Sequence, residues 1–207
     1  KGTPLAGEEL AGAVVRVDAE RFADFDDRWC DVLEGSQFER YEVSNFAKSG
    51  HRSRHNQAYW MGDSVIGLGP GATTSLHPLR WTNVRSIESY LSACRRQRGL
   101  RESCERIAPS SRFAELLGTG LRTASGLSVT ELDRRFGPTW LSYLGPKCVQ
   151  LLDSGHLILA RGRLRTPREH IARVDRILLE LFQSESQSAP VRLEAPTLAG
   201  FDYDRAL

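Results

Sequence analysis

Several absences narrow what this chain is. Its four cysteines, Cys30, Cys94, Cys104 and Cys148, are widely and irregularly spaced. No Cys-x-x-Cys or Cys-x-x-x-Cys pair occurs, so spacing alone supports neither a zinc site nor an iron–sulfur cluster. No apolar run approaches the ~18 residues of a membrane span. The first residues carry no secretory pattern, so reduced thiols in the cytoplasm are expected. The formal charge is +2, too small to argue for nucleic acid or an anionic membrane. Methionine occurs once, at Met61, and the chain opens on Lys1. We therefore expect a piece of a longer protein.

What remains is an ordinary globular composition, 40% hydrophobic and 26% charged over 207 residues. Pro4 and its neighbouring glycines predict a loop and turn at the start. A helix is expected over 18–34, with Asp18 as N-cap and Gly35 ending it. Its Phe22, Phe25, Trp29, Val32 and Leu33 share one face, which predicts that the helix covers a sheet. Strands are expected over 38–43 and 63–68. A helix follows over 82–94 with Ile87, Tyr90 and Leu91 inward, then a solvated arginine-rich linker over 95–101. Ser110 or Ser111 begins a helix carrying Phe113, Leu116, Leu117 and Leu121. Ser128 caps another over 129–136, and a third spans 140–154. Arg161-Gly162 joins two short strands, and Thr166-Pro167 opens a last helix over 168–182. Helices, a two-stranded wing and a closing helix follow the winged-helix order, which suggests either a DNA reader or a packing module. The Asp and Glu residues of this segment favour packing, so no nucleic acid is expected. Residues 183–207 read as a flexible tail.

The stretch 41–75 holds the densest chemistry. It runs from a short strand through a polar loop with Arg52, Arg54, His55, Asn56, Tyr59 and Trp60 to the turn Gly67-Leu68-Gly69-Pro70-Gly71. His55 has the chemistry to ligate haem iron, the aromatics to wall a macrocycle, and the arginines to pair with propionates. From these residues alone the simpler reading is structural: His55 and Asn56 tie down the loop, and Tyr59 and Trp60 fill core. The glycine turn imitates the dinucleotide fingerprint G-x-G-x-x-A. Pro70 removes a donor from any phosphate cradle, no helix opens after the turn, and no acidic residue follows at the required distance. A close backbone approach is the better reading. Glu42 and Asp63 are the acids near the loop.

These motifs, in order, carry a resemblance. Gly2-Thr3-Pro4-Leu5, Tyr41-Glu42-Val43-Ser44-Asn45-Phe46-Ala47, Ser53-Arg54-His55-Asn56, Tyr59-Trp60, Gly67 to Ala72, and Gly120-Leu121-Arg122-Thr123 with Gly126 are similar to oxygen-independent coproporphyrinogen III oxidase of the radical S-adenosylmethionine family. The H-N-x-x-Y-W form resembles its haem chaperone, HemW-type, branch. The resemblance implies an α/β fold: the end of a partial (β/α) barrel over 1–104, then a helical winged-helix-like domain over 105–182. It implies haem contact by His55, a possible iron ligand, supported by Asn56, Tyr59, Trp60 and Arg54. It sets Glu42, Gly67, Gly69 and Gly71 near the cofactor or substrate. Haem and a haem-acceptor protein are the implied partners. The intact family uses a four-iron cluster and S-adenosylmethionine. The family's Cys-x-x-x-Cys-x-x-Cys motif is absent here, so neither is expected to bind this chain and no catalytic residue is assigned. The alternative the resemblance allows is a piece of a coproporphyrinogen III dehydrogenase of porphyrin biosynthesis; a nucleic-acid module stands behind both.

Overall fold

The computed structural model describes residues 3–15, 17–97 and 99–183. Past Gln183, the expected tail lies outside the described residues. The first helix, α1 (Pro4–Leu10), replaces the expected loop: Thr3 caps it and Pro4 sits at the first turn, where a missing N–H costs nothing. Helix α2 (Ala19–Gly35) has Asp18 as its N-cap, with Arg21 N–H donating to the carboxylate at 2.7 Å. Of its expected apolar face only Leu33 turns inward. Phe22, Phe25, Trp29 and Val32 are 53–61% exposed, while Ala23, Asp26, Cys30 and Leu33 turn inward. Two stripes share one helix, and hydrophobicity alone picks the larger.

Strand β1 (Glu39–Glu42) pairs with β2 (Asn45–Ala47) as an antiparallel hairpin. Arg40 fastens it to α2 through both oxygens of Asp26, at 2.5 and 2.9 Å. The expected polar loop is helix α3 (Arg54–Trp60). Residues 63–68 form no strand; Val65 makes a single bridge to Ser75. Instead β3 (Thr73–Leu76), β4 (Leu79–Asn83) and β5 (Arg101–Arg106) make an antiparallel meander. Its first turn contains the cis peptide His77–Pro78. The helix expected over 82–94 is shorter, α4 (Ile87–Arg95), and Ile87 and Leu91 face outward with Tyr90 half-buried. The expected linker ends inside β5, where Arg101 stacks 4.5 Å over Trp81.

Helix α5 (Pro109–Gly120) starts on Pro109, with Ala108 rather than a serine at the cap position. β6 (Leu127–Ser128) leads into α6 (Val129–Phe136), which Ser128 caps as expected. The third helix is broken at Gly145-Pro146 into α7 (Trp140–Tyr143) and α8 (Gly145–Asp153). Strands β7 (Ile158–Ala160) and β8 (Arg163–Arg165) form the expected hairpin, and β6 adds to its edge. Thr166 is not a cap. It is buried and donates to Leu121 O at 2.9 Å, and a 3-10 turn (Arg168–Arg173) precedes α9 (Val174–Gln183).

The main core is drawn from α5 to α9 and the β6–β8 sheet, around the fully buried Phe113, Leu117, Leu144, Leu164 and Leu181. Phe113 meets Phe136 and Tyr143 edge-on at 5.0 and 5.5 Å. Backbone bonds from Val43 N–H to Arg122 O and from Ala124 N–H to Tyr41 O stitch β1 to the turn after α5. Among the described residues no closed barrel forms; the strands lie in three small sheets.

Candidate functional site

Helix α3 is short, so it depends on its ends. Ser53 Oγ accepts the Asn56 N–H at the front. At the back, Gly62 N–H donates to Tyr59 O and Asp63 N–H to Ala58 O, a Schellman closure. The serine and the glycine were the sequence signals for a helix here. Seven polar-rich residues between them hid it.

The helix brings His55 and Tyr59 together, one turn apart, with rings 5.0 Å apart and edge-on. His55 and Arg54 are exposed, Tyr59 is 49% exposed, and Asn56 and Trp60 are half-buried. Among the described residues no hydrogen bond holds the His55 ring. A tied-down structural histidine is therefore not what the fold provides. Arg52, the other candidate propionate partner, is engaged: it pairs with Glu39 at 3.3 Å and lies over the Tyr41 ring.

The remaining sequence candidates are placed elsewhere. Glu42 is fully buried and accepts from Ser44 N–H at 3.1 Å and from the Asn45 amide, closing the β1–β2 turn. Gly67 N–H donates to Thr74 Oγ1 at 2.9 Å and Gly69 N–H to Tyr90 Oη at 3.2 Å. Asn83 donates to the carbonyls of Gly67 and Gly69, and Gly71 N–H donates to Val84 O. The N–H groups of Gly67, Gly69 and Gly71 are thus spent within the protein and Pro70 has none, which leaves the glycines no phosphate cradle to offer. A Cβ on Gly67 would stand 2.5 Å from Thr73 O, the close backbone approach the sequence suggests.

Beneath α3 lies a cavity of about 450 Å³, bounded by α3, the β3–β4 hairpin and α5. Tyr59 and Asp63 line it with His77, Arg80, Arg112, Glu115 and Arg122. Sequence reasoning missed this group, because its members are brought together across more than forty residues. Arg80 holds Glu115 through two bonds, 2.9 and 2.7 Å. Burial raises the Glu115 carboxyl, but the Arg80 bonds and charge outweigh it and leave the group below its usual value. Burial, then the nearby Arg112, pushes His77 down to about 4, so its imidazole is neutral at pH 7. Burial also pushes Arg112 down to about 10; Glu115 opposes this, while Arg135 and Arg80 add to it. A second, more open groove of about 810 Å³ runs past Phe38, Lys48, His51 and Arg168 and holds none of the predicted site residues.

The cysteines do not gather. Cys30 and Cys148 are buried, Cys94 and Cys104 exposed, and all are free thiols. Among the described residues no three His, Cys, Asp or Glu side chains are placed to hold a metal ion. The residues present do not fit a four-iron cluster. Nor is any described helix long and apolar enough to cross a membrane.

No known family profile matches the chain. It is 29% identical to the protein named Heme chaperone HemW of Lactococcus lactis, over 78% of this chain and 42% of that one. It is 29% identical to the mouse protein named Radical S-adenosyl methionine domain-containing protein 1, mitochondrial, over 97% of this chain and 48% of the relative. The structure matches coproporphyrinogen III oxidase (HemN) of Escherichia coli, titled a radical SAM enzyme, with a TM-score of 0.60. That match covers 80% of this chain and 42% of the neighbour at 9% identity, and so speaks for the fold alone. The chain spans less than half the length of these proteins. In sequence it is similar to HemW-type haem chaperones and to radical S-adenosylmethionine domain-containing proteins, of whose length it covers a part.

Proposed function

We propose that this chain is the haem-binding part of a HemW-type haem chaperone, which holds haem on α3 and passes it to an acceptor protein. The observation that carries the reading is the exposed, unbonded His55 set edge-on to a half-exposed Tyr59. An imidazole free on a helix surface is available to iron, and an aromatic ring one turn away offers the flat apolar wall a porphyrin needs. Asn56, Trp60 and Arg54 support it from the same helix. The names of its sequence relatives point the same way. The division expected at residues 104–105 falls inside β5, and we place it just after that strand, since the main core begins with α5. The cytoplasm is the compartment this reading assumes, and a fluorescent fusion would test it.

A haem titration followed by the Soret band tests the reading, once circular dichroism has shown each protein folded. Wild type and His51→Ala should give a saturable shift, and His55→Ala should bind at least about tenfold more weakly, the loss of one ligand bond's worth of affinity. Equal binding by wild type and His55→Ala would remove His55 as the principal contact. The oxidase reading, decarboxylation of coproporphyrinogen III by radical chemistry, has only the fold match behind it. Turnover of coproporphyrinogen III by an intact, cluster-loaded protein containing this chain would revive it.

A further inference from the structure

The wall of the cavity beneath α3 has one buried polar atom without a partner among the described residues, and an arginine beside it that is held loosely. Arg80 clamps Glu115, and Arg122 binds Asp175 at 2.7 and 3.1 Å and donates to Gly118 O. Arg112 is the loosely held one. One of its nitrogens donates to Gly62 O, and another stands 3.7 Å from Glu115, beyond hydrogen-bond reach. Its side chain is only 15% exposed. On the same wall, His77 Nε2 lies 3.4 Å from Ser75 Oγ, and Nδ1 is buried with no partner among the described residues. A buried polar group without a partner costs about 1–3 kcal/mol, so the His77 nitrogen beside a loosely held Arg112 needs a reason.

The charge around them supplies one. Arg80, Arg112 and Arg135 crowd this region, with Glu115 between them. Burial, first, holds both Arg112 and His77 below their ordinary pKa values, and neighbouring cations add to it. An anion would ease the cation part. Tyr59 connects the place to α3: its ring lines the cavity and touches His55.

We propose that this cavity takes one carboxylate of the ligand held on α3, with Arg112 and the Nδ1–H of His77 as its donors. The inference rests on the haem reading for its ligand, not for its chemistry. With the Ser75 hydroxyl as donor to Nε2, the proton sits on Nδ1, the buried ring nitrogen of this wall residue. No proton has to move on binding. The planar guanidinium supplies the directional half of the contact. The carboxylate is either a side chain of the tetrapyrrole or a free small acid.

Zinc protoporphyrin IX, its dimethyl ester and sodium propionate separate these, read by ¹⁵N NMR of the histidine rings in the whole chain. The diacid should move the His77 nitrogens and bind about tenfold more tightly than the ester, the worth of one charged hydrogen-bonded contact. Arg112→Gln should erase that preference while leaving the ester's affinity unchanged, which also shows the variant folded. Equal affinities with His77 unmoved by either porphyrin overturn the proposal. If neither porphyrin binds, the α3 reading fails by itself, and propionate decides the cavity. A His77 shift with propionate that Arg112→Gln abolishes upholds a site for a free acid. No shift overturns it.

Discussion

Gly67 shows how tightly single residues are specified around the site. Its missing side chain lets the chain pass against Thr73, and Thr74, Tyr90 and Asn83 consume the polar groups of the turn. Gly67→Ala should cost about 1–3 kcal/mol by denaturant unfolding, since backbone must shift to admit the Cβ. Gly99→Ala, with open space around it, should stay within about 0.5 kcal/mol. The close approach was legible in sequence because glycines and a proline at a strand end leave few other readings. His77 was not. Nothing near it in sequence announces that α5 will bring Arg112 beside it. Its titration gives a signed prediction. Above pH ~6.5 both folded and unfolded states keep it neutral. Between that pH and about 4 the unfolded chain takes a proton that the folded chain refuses, so stability falls as pH falls. His77→Gln should recover about 1–2 kcal/mol of the loss between pH 7 and 4, allowing for partial exposure. Parallel acid unfolding curves for both proteins would contradict the buried neutral imidazole.

At the scale of elements, α2 and α5 make opposite lessons. The apolar face read for α5 is the packed one, and Phe113 sits at its centre with no exposure. Phe113→Ala should cost about 3–5 kcal/mol, measured by urea unfolding. The aromatic stripe of α2 has the stronger pattern and faces solvent. Trp29→Ser should therefore change stability by less than about 0.5 kcal/mol. A loss above about 2 kcal/mol would mean that the stripe is covered in solution. What fixes the orientation of α2 is polar, the Arg40 clamp on Asp26 and the Arg40 contact to Cys30 at 3.4 Å. Hydrophobic periodicity does not register such a clamp. The same holds for α3, whose capping serine and closing glycine outweigh its weak periodicity, and for the β3–β5 meander, whose short polar strands alternate too little to read. By contrast Ser128 and the Arg161-Gly162 turn marked their elements in sequence, because caps and turns depend on one or two residue types.

For the whole molecule, the sequence is similar to HemW-type proteins and the fold to a radical SAM enzyme, and the chain supplies less than half the length of either. The part present holds a helix that offers an imidazole and an aromatic ring, a cavity beneath it with one unpartnered histidine nitrogen on its wall, and cysteines too scattered for a cluster. The proposed haem reading rests on the first of these features. The most direct measurement is the electron paramagnetic resonance spectrum of the ferric haem-loaded chain beside that of His55→Ala. A histidine-ligated ferric signal in wild type, absent from a folded His55→Ala loaded with the same haem, is the predicted result. The same signal in both proteins would contradict iron ligation by His55.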